Sequence, residues 1–394
     1  MKRAIIIVID SLGIGAMHDY AEFNDVKTCN TICNVANYVN GLKMPNFERF
    51  GLGNLTEING INKIENPIAS CGIMKEKSKG KCTTTGHWEM AGLIIDKPFK
   101  TYPNGFDEFI INEFIKQTNC GGILGNYPSS GTKIIEDLNN EHQKTKYPII
   151  YTSADSVFQI AVDIDITPIE TLYDWCQIAR NILVDKYNVS RVIARPYRII
   201  NGKPTRISSL RRDFSVAPFK NTVLDEIINN NGRVIGIGKI EDIFVKKGIS
   251  HAIHTGSNKE GLELTLKALN NKLDLDKICI KENDYKNCNI ELIFTNLVDT
   301  DMLFGHRNDA KGYADALNQI DSYIPQILNS LNDDDLLIIT GDHGCDPTVA
   351  GTDHTREMVP LIVYNKLQTP EELGTLDDFT YVAKIVRNWL HISS

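Results

Sequence analysis

Short, nearly continuous apolar runs rich in Ile and Val recur along the chain: AIIIVI at 4–9, VIGIGKI at 234–240, IELIFTNLV at 290–298, LLIIT at 336–340 and PLIVY at 360–364. Runs that do not alternate with polar residues predict strands buried on both faces, the habit of a largely parallel sheet. Between them the period changes. From Tyr313 to Leu331 apolar residues fall at 313, 316, 317, 320, 324, 327, 328 and 331, one stripe of a helix with a kink expected at Pro325. A last helix is predicted from near Asp377, with Val382, Ile385, Val386, Trp389 and Leu390 on one face. Strands alternating with helices predict an α/β sandwich, its sheet mostly parallel.

The middle of the chain breaks this rhythm. Residues 99–214 include a polar, loop-rich stretch, NCGGILGNYPSSGTK at 119–133, and then IIYTSADSVFQIAV with strand-like runs of its own. The expectation is a second domain at 99–214 inserted into a discontinuous first domain made of 1–98 and 215–394. No repeat or low-complexity tract is present, and the richness in Asn and Ile reads as compositional bias.

Composition changes the picture little. A chain of 394 residues with 42% hydrophobic and 23% charged residues is long enough for one large core or two domains. Its net charge of -8 is spread over mixed acidic and basic residues without a Lys/Arg stripe, which argues against a nucleic-acid partner. The N-terminal apolar run, Ala4 to Ile9, is ended by Asp10 and is too short for a signal core or a membrane span. Nine cysteines, an odd number at irregular spacings, include one C-x3-C, Cys29 and Cys33, without a second pair to complete a zinc ribbon. Reduced thiols in a cytoplasmic protein are the expectation, with no membrane partner and no obligatory protein partner.

Chemistry gathers just past the strand ends. Asp10 closes the first run, Asp299 and Asp301 close IELIFTNLV with His306 after them, Asp342 and His343 close LLIIT, and His354 follows in GTDHTRE. Each has a plain structural reading: Asp10 can cap a helix or a turn, and a D-x4-H such as Asp301/His306 is common by chance. Together those readings require independent coincidences at strand ends, where open α/β sheets place their ligands. Aspartates mixed with histidines suit manganese or zinc better than magnesium or calcium. Six candidates, Asp10, Asp301, His306, Asp342, His343 and His354, exceed the needs of one tetrahedral ion. They suit two ions, an arrangement suited to in-line displacement at phosphorus.

A two-ion centre gives a use to the stretch GKCTTTGHWE at 80–89. An alcohol is a weak nucleophile until a base or a metal lowers its pKa, and GHWEMAGL reads as the first turns of a helix, whose N–H groups favour a phosphate. One of Thr83, Thr84 and Thr85 is expected to become phosphorylated; spacing does not select among them.

The motifs GKCTTTGHWEMAG, NLVDTDMLFGHRND, TGDHGCDPTVAGTDHTRE, YTSADSV and VIARP together resemble the phosphopentomutase family of the alkaline phosphatase superfamily, over most of the chain. The resemblance implies an alkaline-phosphatase-like core with an inserted α/β cap over the active site. It makes Thr83 the phosphorylated threonine and leaves Thr85 as the second threonine of the pattern. It implies one manganese site at Asp10, Asp342 and His343 and another at Asp301, His306 and His354, with Asp299 behind the ligands and His87 bracing the threonine loop. It gives Asp155 to the sugar hydroxyls, and Arg195, Arg211 and Lys239 to the substrate's distal phosphate, roles that bidentate Arg–phosphate pairing supports for the two arginines. One departure is Cys82 where the family has Asp, a neutral thiol beside Thr83 in place of a charge. Asn308 and Gly341 read as minor variation.

The implied reaction interconverts ribose 1-phosphate, or its 2-deoxy analogue, with the 5-phosphate, through a phosphothreonine and a 1,5-bisphosphate, with a sugar bisphosphate as primer. A cofactor-independent phosphoglycerate mutase would place a serine in a different loop. A phosphatase or phosphodiesterase of the same superfamily is the nearest rival, and a non-catalytic phosphosugar-binding module the most distant.

Overall fold

The computed structural model describes residues 1–153, 156–281, 285 and 287–392. They form two compact units, 1–97 with 217–394, and 98–216.

The first unit is built on an eight-stranded sheet in the order His251–Ile253, Arg233–Ile237, Ile290–Leu297, Lys2–Ile9, Asp335–Thr340, Val359–Tyr364, Ser70–Met74, Glu372–Leu376. The first five run parallel. Lys2–Ile9 is the fourth of the eight, near the middle of the sheet, with Ile5 opposite Ile293 on one side and Leu337 on the other. Ile5, Ile7 and Ile9 join the core beneath helices Thr31–Tyr38, Pro45–Phe50, Asn258–Leu269 and Ala310–Ser330. Ala4, Ile6 and Val8 are equally buried on the other face, where Thr380–Leu390 packs on the central strand and on helices Thr83–Met90 and Val223–Asn229. That two-sided burial is why these runs show no alternation.

Val359–Tyr364, the last of the apolar runs, is antiparallel to both of its neighbours. The connection from Thr340 back to Val359 contains no helix, and a strand reached without a crossover returns antiparallel. VIGIGKI stops as a strand at Ile237, because Gly238 takes a left-handed φ of 85° and Lys239 caps the next short helix, Ile240–Phe244.

The predicted helix over 313–331 spans Ala310–Ser330 with Pro325 inside it. Proline cannot give its N–H to the carbonyl four residues back. That carbonyl, of Asp321, instead accepts from Asn46 Nδ2 at 3.0 Å, and the Asp321 carboxylate accepts from the backbone N–H groups of Asn46 and Phe47. The final helix is Thr380–Leu390, starting three residues later than Asp377, and the N–H of its N-cap residue Phe379 goes to buried Glu89 at 2.9 Å.

The second unit has its own mixed sheet, ordered Leu124–Pro128, Ile149–Thr152, Val157–Asp163, Arg191–Ile200, Lys203–Arg206, with Arg212–Ser215 also pairing to Arg191–Ile200. Helices Glu108–Thr118 and Ile169–Ile182 close a separate core of Phe106, Ile110, Phe114, Phe158, Ile160 and Leu172. The 119–133 segment, read as loop, contains an edge strand and the start of helix Gly131–Thr145. A short edge strand with one exposed side needs few apolar residues, which hid it. Among the described residues no helix is long and apolar enough to cross a membrane, and no disulfide joins the cysteines.

Candidate metal centre

The six acidic and imidazole residues meet beyond the carboxyl ends of the parallel strands. Asp10 follows the central strand, and its Oδ2 accepts from Asn296 Nδ2 at 3.2 Å. Asp342 follows Asp335–Thr340, with its Oδ1 accepting the Ser11 N–H at 3.0 Å. His343 Nε2 stands 3.3 Å from Asp10 Oδ1 and 3.5 Å from Asp342 Oδ2. Asp301 sits in a π-helical turn, Thr300–Phe304, and His306 in the 3-10 turn that follows, local irregularity of the kind found at functional sites. His306 Nε2 is 3.3 Å from Asp301 Oδ2, and His354 Nε2 is 3.2 Å from Asp301 Oδ1. The His306 and His354 Nε2 atoms are 3.0 Å apart, and the His343 and His354 rings stack at 3.9 Å. Ligand atoms of Asp10, Asp342 and His343 lie within 4.8 Å of one another, and so do those of Asp301, His343 and His354. His343 therefore stands in both groups.

The imidazoles are oriented from behind. Nδ1 of His306 faces the Thr352 carbonyl at 2.7 Å, that of His343 the Gly344 carbonyl at 3.0 Å, and that of His354 the Lys81 carbonyl at 2.9 Å. A carbonyl only accepts, so Nδ1 carries a proton, and Nε2 is the ring nitrogen turned to the cluster. Among the described residues Asp10 Oδ1, Asp301 Oδ1 and Asp342 Oδ2 are buried without a hydrogen bond, and imidazole nitrogens stand 3.2 to 3.3 Å from them. Buried carboxylate oxygens clustered with imidazole nitrogens fit divalent cations.

The electrostatics follow from this crowding. Burial, joined by the neighbouring Asp342 and Asp301 charges, raises the Asp10 carboxyl. For Asp301 burial pulls upward but is outweighed by His354, His306 and His343, which hold it well below the usual carboxylate range. Burial alone would lower His343, yet Asp342, Asp10 and Asp301 raise it well above an ordinary imidazole.

Sequence reasoning missed Cys345, whose buried sulfur lies 4.0 Å from His306 Nδ1 and groups with Asp301 and His306. Its position two residues after His343 was the available signal. Burial, joined by the Asp301 and Asp10 charges, pushes its thiol up.

Thr83 is the first residue of helix Thr83–Met90, which thus starts three residues earlier than GHWEMAGL suggests. Thr83 Oγ1 stands 3.2 Å from His343 Nε2. Thr85 is buried and turned away: its hydroxyl accepts the Cys82 N–H at 3.2 Å and donates to the Cys82 carbonyl at 2.9 Å. Among the described residues no hydrogen bond of the Thr84 side chain is found. His87 is fully buried, its Nδ1 2.9 Å from the Thr83 carbonyl and 3.2 Å from Asp342 Oδ2. It braces the turn.

Asp299 lies outside the cluster, its Oδ2 accepting the Asn258 N–H at 2.8 Å. Lys239, at the same sheet edge, is close enough for its charge to act on Asp10. In the second unit Arg195 and Arg211 line one recess of about 250 Å³ with Arg191, Gln159 and the start of helix Gly131–Thr145. Arg195 Nε donates to Gln159 at 3.1 Å, and Arg211 already holds Asp213 through two bonds of 2.8 and 2.7 Å. Asp155 lies outside the described residues.

Asn308 and Gly341 each have a local structural part. Asn308 Nδ2 reaches the carbonyls of Pro347, Val349 and Gly351, anchoring the loop that leads to His354. A Cβ on Gly341 would meet the Leu12 carbonyl at 2.4 Å.

A model of the metalloenzyme superfamily matches residues 2–393. A phosphopentomutase of Acetivibrio thermocellus is 49% identical over all of this chain and 97% of its own length, and one of Clostridium acetobutylicum is 46% identical over all of this chain and 96% of its own. The chain belongs to the phosphopentomutase family. It is an enzyme, and the metalloenzyme match agrees with the donor set at its sheet edge. A solved protein of Pyrococcus horikoshii, 14% identical, covers the whole chain with a TM-score of 0.51 and shares the fold.

Proposed function

We propose that the enzyme interconverts the 1-phosphate and 5-phosphate of ribose or 2-deoxyribose, with Thr83 as the group that carries the phosphoryl. The observation that carries this reading is the 3.2 Å contact of Thr83 Oγ1 with His343 at the edge of the carboxylate–imidazole cluster. The names of relatives close to half identical over their full length support the substrate class.

Two manganese ions fit the donors, one at Asp10, Asp342 and His343 and the other at Asp301, His306 and His354; bound there, they supply positive charge to a transferring phosphoryl group and lower the pKa of an alcohol. The chain's own residues do the rest. In the first step a sugar hydroxyl attacks the phosphorus of phospho-Thr83, the P–Oγ bond breaks, and the hydroxyl proton ends on Thr83 Oγ1, leaving a 1,5-bisphosphate. In the second, Thr83 Oγ1 attacks the other phosphorus, takes that phosphoryl and returns the proton to the sugar. The two steps sum to an isomerisation, and a trace of bisphosphate primes the resting threonine. His87 and the first turn of helix Thr83–Met90 hold the threonine in place, and positioning with electrostatic stabilisation supplies most of the rate. Arg195, Arg211 and Lys239 are assigned to phosphate recognition and Asp155 to the sugar hydroxyls. For Arg211 this requires that phosphate compete with Asp213.

Phosphorus NMR on the manganese-loaded enzyme with ribose 1-phosphate and a trace of ribose 1,5-bisphosphate tests the reading. Conversion to ribose 5-phosphate with little inorganic phosphate, and its loss by at least about 1,000-fold in Thr83→Ala, is the expected result. Steady release of inorganic phosphate would make the enzyme a phosphatase instead.

A further inference from the structure

Arg356 lies two residues beyond His354 and is almost wholly buried, a costly place for a cation unless every N–H is matched. It has five such groups, and each has an acceptor. Nε and one Nη2–H hold the two carboxylate oxygens of Asp19 at 3.1 Å each. Nη1 gives one bond to Glu76 Oε2 and another to the Gly80 carbonyl, both 2.6 Å, and Nη2 gives its second to the Glu76 carbonyl at 2.6 Å. The guanidinium also lies over the Phe23 ring at 4.6 Å.

Three of these five bonds go to Glu76 and Gly80, on the loop that runs into Thr83. The same loop is held at its next residue. The Lys81 carbonyl faces His354 Nδ1 at 2.9 Å, and Lys81 Nζ reaches Asp25 at 2.9 Å and Asp353 at 3.1 Å. Asp25 in turn accepts the backbone N–H of Arg356 at 2.7 Å. Residues 353–356 thus grip the loop at Glu76, Gly80 and Lys81, while His354 Nε2 points the other way, at Asp301 and His306. The loop has little slack for another arrangement, since a Cβ on Gly80 would meet the Thr85 side chain at 2.4 Å.

We propose that Arg356 is a positioning residue that locks the nucleophile loop to the segment carrying His354, so that a cation bound by His354 fixes the placement of Thr83. This rests on Thr83 being the phosphoryl carrier, but the linkage itself is readable without activity. A cation that fixes His354 Nε2 also fixes the ring and its bond to Lys81, and Arg356 carries that constraint across to Gly80. A lysine keeps the charge but has three donors on a flexible stem, which cannot serve all five acceptors.

The test is amide hydrogen exchange of residues 76–83 in the whole chain, with and without manganese. In the unmodified protein, manganese is expected to slow exchange there by at least about 10-fold, against little change in the edge strand Glu372–Leu376. In Arg356→Lys the slowing is expected to fall below about 2-fold while manganese still binds, and kcat to drop at least about 10-fold with KM within about 2-fold. Asp19→Asn, which loosens Arg356 without removing it, guards against a lysine variant that does not fold and should give an intermediate slowing. Equal manganese-linked protection in the unmodified protein and in a folded variant would overturn the proposal. So would an unmodified protein whose loop exchange ignores manganese. A protein that shows the linkage but has no mutase activity would instead sink the functional reading and leave the linkage standing.

Discussion

At the scale of single residues, the histidines divide by what stands behind them. His306, His343 and His354 each turn Nδ1 to a backbone carbonyl and so offer Nε2 forward. His251 is arranged otherwise. It is buried beside Ser250, with Nδ1 2.8 Å from the Ser250 hydroxyl, and burial, aided by Arg233, pushes its imidazole down to about 4. An unfolded histidine takes up its proton near pH 6.5. Between 6.5 and 4 the unfolded chain therefore binds more protons than the folded one, and stability falls as pH falls. This group should cost about 2 kcal/mol between pH 7.5 and pH 5. Urea unfolding of the metal-free protein at the two pH values, beside His251→Gln, measures it. The variant should lose roughly that much of the pH difference, and equal pH differences in the two proteins would show that His251 contributes none.

At the scale of elements, Pro325 explains why Asn46 and Asp321 are together. The helix Ala310–Ser330 lacks one internal bond at the proline, and Asn46 supplies the Asp321 carbonyl with a donor from another segment. Asn46→Ala removes that donor and a second bond of 2.8 Å to the Asp321 carboxylate. Leaving these buried acceptors short should cost about 2 kcal/mol, seen as a lower urea midpoint at unchanged m-value. Normal stability in the variant would mean that water replaces the amide freely. The helix was legible in the sequence because its stripe is long and its period clear. Asn46 was not, since nothing in a local pattern says which distant side chain will meet a carbonyl freed by proline. The ligand set divides in the same way. Asp10, Asp301, Asp342 and His343 stand out because each follows an apolar run within a few residues. Nothing in the local sequence marks Arg356 or Glu89, yet both are buried with backbone groups as partners. The helix starting at Thr83 was placed too late because three threonines are poor helix interiors, although the first turn is where hydroxyl side chains are tolerated.

At the scale of the whole molecule, the two units differ in how their chain is used. Residues 98–216 are contiguous and close their own cores around Phe114, Phe158 and Leu172, and around Ile134, Tyr151 and Tyr197. That segment expressed alone should fold and unfold cooperatively in urea, with a single transition by far- and near-UV circular dichroism. A featureless near-UV spectrum would show that it depends on the rest of the chain. The first unit is made of two separate stretches of chain. Its central strand, Lys2–Ile9, pairs with Ile290–Leu297 and Asp335–Thr340, and with nothing nearer in sequence. On a ribosome adding about 5–20 residues per second, the strand made first therefore waits roughly 15–60 s for its first partner to be synthesised. Throughout that interval AIIIVI is an apolar segment without its two strand partners, while the later-made residues 98–216 can already be folding.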